Sequence, residues 1–209
     1  MNFYTSGTMV EAIIFDFGDI FINLKKEECY NAFRKIGFEA LSEAFSALNH
    51  QMEVGQLTEE DFLNGINALA PDSNPAEIKN AWNTIIGEFP QHRLEFLKSL
   101  RGKYKLFLLT NTDCIHIAHF RQREGEAAEE FFNSFDKVYY SYEFGLRKPD
   151  PEAYLYIVRE QQLDPAKTLF VDDRPDNCEG AASVGLKIWH LQVGKEDVSE
   201  MLNLEIFIR

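Results

Sequence analysis

Five short apolar runs, at 12–15, 106–109, 138–140, 168–171 and 187–191, constrain this chain more than any other feature of it. Their length and their β-branched and aromatic content favour buried strands over helices. Between the later runs lie helical patterns. Tyr154, Ile157, Val158 and Gln161 recur at helical spacing behind Asp150-Pro151, an N-cap followed by proline at the first helical position. Strand and helix alternating in this way predict an α/β fold with a Rossmann-like, doubly wound parallel sheet.

The interval after the first run breaks that alternation. From 25 to 90 the sequence shows four helical patterns and no strand. Cys29, Ala32, Phe33 and Ile36 follow i, i+3, i+4, i+7 spacing, as do Leu41, Ala44, Phe45 and Leu48. Thr58 and Asp61 make a weak capping box ahead of Phe62, Ile66 and Leu69. Asn74 caps a further face of Ile78, Ala81, Trp82, Ile85, Ile86 and Phe89. The expected organisation is an α/β core from 1–24 and 91–209, with a helical cap at 25–90. Open α/β sheets bind ligands beyond the carboxyl ends of their strands, so an insert after the first strand is placed to act as a lid.

Charge narrows the partners. With 34 acidic against 21 basic residues the formal charge is −13, which opposes nucleic acid and anionic membrane surfaces alike. Any phosphate site must be local, built from a few cations and backbone amides. Cys29, Cys114 and Cys178 are widely spaced with no Cys-x-x-Cys pair, which fits reduced, mostly buried thiols. No apolar stretch reaches the roughly 20 residues that span a bilayer, and the first dozen residues lack a signal-peptide pattern. Cytoplasmic residence is the expectation. The acidic cluster at 126–130 reads as a solvated helix start or loop. Monomer and homodimer stay open, as does the role of the 203–209 tail.

Four strand-end segments carry the candidate chemistry. Asp16 follows Ile13-Ile14-Phe15; a carboxylate there can attack phosphorus and form an aspartyl phosphate, although such an Asp commonly just caps the turn. Thr110, followed by Asn111 and a helix starting near Asp113, offers a hydroxyl and backbone N–H groups as an oxyanion cradle, or an ordinary strand-to-helix turn. Lys148 precedes Pro149 and a helix start, and its compact charge can stabilise a nucleophile and phosphoryl oxygens. Its neighbour Arg147 reads as a surface charge. Asp172 and Asp173 stand together at the end of Leu169-Phe170-Val171. Adjacent carboxylates repel unless a cation neutralises one, and Mg2+ suits such a pair better than Arg174 does. His116 and His119 stand three apart on an expected helix, a spacing that holds metal only with further ligands, and none of the five histidines is given a chemical role.

In this order the four segments resemble the haloacid dehalogenase (HAD) superfamily, most closely its helical-cap phosphatases. The resemblance runs from Ile13 to about Leu191. It implies Asp16 as nucleophile, Thr110 and Asn111 as phosphate binders, Lys148 as the charge-stabilising lysine, and Mg2+ held by Asp16, the Gly18 carbonyl and Asp172. Asp173 and Asn177 would support that shell. The implied activity is a hydrolase: a Mg2+-dependent phosphatase acting on a small phosphorylated metabolite, with a sugar phosphate as one candidate.

One position departs from the pattern. Phosphatases of the superfamily usually carry Asp-x-Asp, the second Asp protonating the leaving group; here that residue is Gly18. General acid–base help is worth about 10²–10⁴ in rate, so its loss favours acidic leaving groups such as an anomeric sugar phosphate, or a borrowed donor. Asp19 is one residue on and its side chain is expected to point elsewhere unless a local twist recruits it. Two other readings stand beside the phosphatase: a metal-independent dehalogenase using the same Asp16, and a catalytically silent phosphometabolite-binding relative suggested by Gly18. Cap residues Phe33, Phe45 and Trp82 and the polar stretch 49–53 are specificity candidates, though most of the aromatics are expected to form the cap's own core.

Overall fold

The fold was analysed in a computed structural model that describes residues 9–38 and 42–207. In chain order the elements are β1 (Ala12–Phe15), α1 (Lys26–Lys35), α2 (Glu43–Glu53), α3 (Glu59–Leu69), α4 (Pro75–Asn83), α5 (Gln91–Leu100), β2 (Lys105–Thr110), α6 (Cys114–Glu124), α7 (Glu126–Phe132), β3 (Lys137–Tyr140), α8 (Ser141–Phe144), α9 (Pro151–Glu160), β4 (Thr168–Asp172), α10 (Pro175–Ser183) and β5 (Lys187–His190). Short 3₁₀ segments cover Pro165–Lys167 and Val198–Asn203.

All five strands are parallel, in the order β3-β2-β1-β4-β5. The chain first winds outward from β1 to β3, then crosses back to β4. The order therefore reverses between β1 and β4, which is where such sheets bind ligands. Their shared register pairs Phe15 with Val171, and Asp16 N–H donates to the Val171 carbonyl at 2.9 Å. The first carboxylate of interest thus sits beside the end of β4 by backbone pairing alone.

Parallel strands bury both faces, and alternation sorts the side chains. Ile13, Phe15, Leu106, Leu108, Leu169 and Val171 face a core with α5, α6 and α7, which contribute Leu94, Leu97, Phe120 and Phe131. Ala12, Ile14, Phe107, Leu109 and Phe170 face Tyr154 and Ile157 of α9 and Ala181 of α10. The 126–130 acids begin α7, where Glu130 pairs with Lys98 at 3.2 Å. In the tail, Phe207 packs edge-on against Tyr104. All three cysteines are free thiols.

The four helices α1–α4 close over Phe33, Phe45, Phe62, Ile66, Ile78 and Trp82. Ser42, Thr58 and Asn74 cap α2, α3 and α4 as side-chain acceptors, the last two as full capping boxes. Leu41 of the expected second pattern lies outside the described residues. The fourth pattern is corrected: α4 stops at Asn83, and Ile85, Ile86 and Phe89 do not continue it. That stretch pairs instead with the chain leaving β1, through Lys25 N–H to Ile85 O (2.9 Å), Gly87 N–H to Asn23 O (2.9 Å) and Asn23 N–H to Glu88 O (2.8 Å). Two crossing chains so tied satisfy each other's backbone polar groups where no helix does.

The loop that carries Lys148 rests on a glycine. A Cβ at Gly180 in α10 would stand 2.3 Å from the Pro149 carbonyl oxygen, and backbone cannot yield as a side-chain tip can. Gly180→Ala is therefore expected to cost about 1–3 kcal/mol as an overpacked contact, read as a lowered urea midpoint. An unchanged midpoint would show that the loop has slack.

Candidate active site

Lys148 is the centre of the site. It is 1% exposed, and its Nζ lies 2.6 Å from Asp16 Oδ1 and 2.7 Å from Asp172 Oδ2. Asn111 fixes the lysine's backbone: its amide N–H donates to the Lys148 carbonyl at 2.8 Å, and its Oδ1 accepts from the Lys148 N–H at 2.9 Å. The Asn111 side chain thus clamps the loop from β2, because an amide matches a peptide unit donor to acceptor. Thr110 ends β2, is buried, and lines the same cavity.

The acidic pair divides its work. Asp172, wholly buried, accepts from Lys148, from the Arg174 N–H at 2.8 Å and from Asn177 Nδ2 at 3.0 and 3.1 Å. Asn177 is itself held by Tyr154, whose hydroxyl donates to its carbonyl at 2.8 Å. Asp173 lines the cavity, and its Oδ2 lies 4.0 Å from Lys26 Nζ. Asp16, Asp172 and Asp173 each offer one oxygen, all within 4.8 Å of one another. Burial, opposed by Lys148 and reinforced by the Asp172 and Asp173 charges, pushes the Asp16 carboxyl up to about 7. Burial and Asp172 likewise raise Asp173. For Lys148, the two carboxylates outweigh its own desolvation and hold its pKa above the ordinary lysine range.

Gly18 and Asp19 resolve as two different features. A Cβ at Gly18 would come 2.8 Å from Leu24 Cδ1, so a leucine methyl fills the space where an acid would begin. Asp19 is in the left-handed region (φ 57°). Its carboxylate accepts from Leu24 N–H at 2.8 Å and pairs with Lys26 Nζ at 2.7 Å. Both oxygens are engaged in tying down the chain that leads into α1, as expected of a side chain that points elsewhere.

Above these groups lies a cavity of about 480 Å³, within the usual range for small-molecule sites. Core residues Asp16, Thr110 and Lys148 line one side and cap residues Tyr30, Asn49 and Glu53 the other. Two lining residues with no chemical role expected from the sequence are engaged in the structure. Arg147, expected as a surface charge, reaches back to the cap: Nη2 lies 2.7 Å from Glu53 Oε2, and Nη1 is 3.1 Å from His50 Nδ1. His116 is buried and stacks on Trp82 with centroids 4.5 Å apart. The partners of Arg147 stand far off in the chain, and His116 has Asp113 three residues before it but its ring-stacking partner Trp82 far away.

Both ring nitrogens of His116 face acceptors, Asp113 Oδ2 at 2.9 Å and the Trp82 carbonyl at 3.1 Å. Both contacts are hydrogen bonds only when the ring is an imidazolium. Asp113 also accepts from Trp82 Nε1 at 3.0 Å and caps α6 through Ile115 and His116 N–H. Burial alone would lower the His116 pKa, but the Asp113 carboxylate, with a smaller pull from Glu53, raises it. Burial would raise Asp113, and the His116 charge and hydrogen bonds bring it below the ordinary value. This network fastens α4 of the cap to α6 of the core.

A cavity walled by strand-end carboxylates lies between the carboxyl ends of a parallel sheet and the helices inserted after β1. The profile of the haloacid dehalogenase-like hydrolase family matches residues 10–185, and the chain belongs to that family. It is 27% identical over 208 residues to a D-ribitol-5-phosphate phosphatase from Bacteroides thetaiotaomicron, covering 93% of this chain and 100% of that one. A HAD family enzyme from the same organism, solved as a magnesium complex, superposes with a TM-score of 0.85 at 32% identity, covering 93% of this chain and 99% of the other. Its wild-type complex with magnesium and inorganic phosphate matches at a TM-score of 0.81 and 31% identity, over 90% and 96% of the two chains. Two dehalogenase structures at 17% identity share the fold. Among the described residues no helix is long and apolar enough to cross a membrane.

The Asp113–His116 pair sets a pH signature. A raised histidine pKa contributes stability fully below the unfolded value of about 6.5, and a lowered aspartate pKa contributes it above about 3.9. Wild type should exceed His116→Ala in Tm by most between those limits, and the excess should shrink as pH rises through the elevated His116 pKa. A difference that stays constant from pH 6 to 9 would mean that the ring is neutral throughout.

Proposed function

We propose that this chain is a Mg2+-dependent phosphatase of small, hydroxylated phosphomonoesters that works through an aspartyl phosphate on Asp16. The observation that carries the proposal is the set of three carboxylate oxygens within 4.8 Å, with the Lys148 ammonium against two of them, at the sheet's reversal point beneath a capped cavity. The 25–90 segment serves as the cap. The phosphatase and the magnesium- and phosphate-bound structures among the relatives support the same chemistry.

The donor set fits magnesium. It is all oxygen, and Mg2+ needs only one or two carboxylates beside substrate phosphate and water. The expected ligand assignment shifts within the pair: Asp172 has its oxygens committed to Lys148, Asn177 and the Arg174 N–H, so Asp173 and Asp16 are the carboxylates that would hold the ion, with Gly18 beside them at the cavity wall. A bound ion supplies the positive charge that lets crowded carboxylates stay ionised and offsets charge on phosphate oxygens.

The chain's own residues supply the rest. An Asp16 oxygen attacks phosphorus, the bond to the ester oxygen breaks, and the leaving alkoxide takes a proton from solvent or a borrowed donor. Thr110 and the Asn111 N–H present donors to the phosphoryl oxygens. Lys148, held by Asn111, keeps the nucleophile oriented and charged. Water then cleaves the acyl phosphate and returns Asp16 with inorganic phosphate. The Asp173 carboxylate at the cavity wall favours this reading over a dehalogenase, which has no use for the metal. Retention of Asp16, Lys148 and both acids favours it over a silent relative.

Phosphate release from sugar and alditol phosphates should require Mg2+, disappear on chelation, and fall to background in Asp16→Asn. Hydrolysis that persists in that variant would remove Asp16 from the mechanism, and activity that survives chelation would favour the dehalogenase-type reading. Because Gly18 has no side chain and both Asp19 oxygens are engaged by Leu24 N–H and Lys26, that loop offers Asp16 no free acid. A sugar 1-phosphate should then be hydrolysed faster than the 6-phosphate of the same sugar, and equal rates would point to a donor elsewhere.

A further inference from the structure

We infer that Asn49, Glu53 and Arg147 form the subsite that reads the hydroxyl groups of the leaving group, at the end of the cavity away from the phosphate; this rests on the phosphatase reading above. Among the described residues, six buried side-chain polar atoms lack a hydrogen-bond partner, and three of them belong to this trio: Asn49 Oδ1, Glu53 Oε2 and Arg147 Nε. The other three, on Asn67, Asn83 and Trp189, belong to residues that do not line the cavity. Buried polar groups are otherwise almost always satisfied. Asn49 Oδ1 and Arg147 Nε, open beside the Glu53–Arg147 ion pair at a cavity wall, are therefore what a polar ligand would complete.

The trio is held in place from both sides of the seam. Arg147 Nη2 lies 2.7 Å from Glu53 Oε2, close enough to pair as charges while leaving that oxygen without an aligned N–H. Asn49 Nδ2 leans on Glu53 Oε1 at 3.4 Å from one turn earlier in α2. The ion pair joins the cap helix to the loop that also carries Lys148, so the subsite is registered to the catalytic lysine by one residue of chain.

The pattern of open valences states what fits. One open acceptor and one open donor stand beside the ion pair. A hydroxyl both donates and accepts, so vicinal hydroxyls can satisfy both. A second phosphate or a carboxylate offers only acceptors, leaves Asn49 Oδ1 unmet, and meets the Glu53 charge. An apolar tail satisfies none. The subsite thus selects a monophosphate with an uncharged, polyhydroxylated remainder. A site built to bond hydroxyls rejects analogues that lack them far more strongly than an apolar pocket can.

The test compares kcat/KM for D-ribitol 5-phosphate with that for propyl phosphate, which has the same ester type and no hydroxyls, in wild type, Glu53→Gln and Asn49→Ala. Glu53→Gln keeps the volume, and Asn49→Ala leaves the ion pair intact, with folding of each checked by Tm. Wild type should prefer the ribitol ester, and each variant should shrink that preference by about tenfold or more, mainly through KM. A preference that survives in both variants, or activities that fall equally on both esters, would overturn the subsite and leave the phosphatase standing. Wild type inert toward both esters and toward p-nitrophenyl phosphate would overturn both.

Discussion

One buried ammonium group organises this protein. Lys148 brings its charge between Asp16 after β1 and Asp172 at the end of β4, two carboxylates that adjacent parallel strands force together. Without a cation there, burial and mutual repulsion would neutralise at least one of them. The surroundings serve that placement. Asn111 clasps the lysine's backbone, Asn177 and Tyr154 fix Asp172, and Gly180 lets α10 approach the Pro149 carbonyl. One cation between two acids leaves negative charge in excess, and that excess, with Asp173 at the cavity wall, is what suits the site to a divalent ion.

The seam between cap and core is as specific as the site itself. Its two connecting chains are bound to each other by backbone hydrogen bonds between 23–25 and 85–88. The Asp113–His116–Trp82 network and the Glu53–Arg147 pair cross it elsewhere. All of these close the cavity without spending the groups at its floor. Helix α2, which gives Phe45 and Met52 to the core of the inserted helices, also gives Asn49 and Glu53 to the cavity wall.

Much of this was legible in the sequence because it depends on period and order. The strands, the caps at Thr58, Asn74 and Asp150, and the juxtaposition of 16, 148 and 172 follow from local pattern plus the handed winding of α/β units. What escaped depends on side-chain direction across long separations. Arg147 beside Lys148 has no local sign that it turns to the cap, and His116 on an apolar helix face looks like any core histidine. The helical spacing of Ile85, Ile86 and Phe89 suggested more helix, but backbone pairing with 23–25 outweighed a weak propensity. That the Asn111 side chain clasps the Lys148 backbone likewise depends on a contact across 37 residues.

The claim that Lys148 neutralises a buried acidic pair is tested most directly by a double-mutant cycle in urea with chelator present, using Lys148→Met, Asp16→Asn and the combined variant. Removing the cation alone should cost about 3–5 kcal/mol, as for other broken buried ion pairs. Neutralising Asp16 as well should recover a substantial part of that loss, because one uncompensated carboxylate then disappears with its partner. Losses that simply add, or a Lys148→Met protein as stable as wild type, would contradict the account.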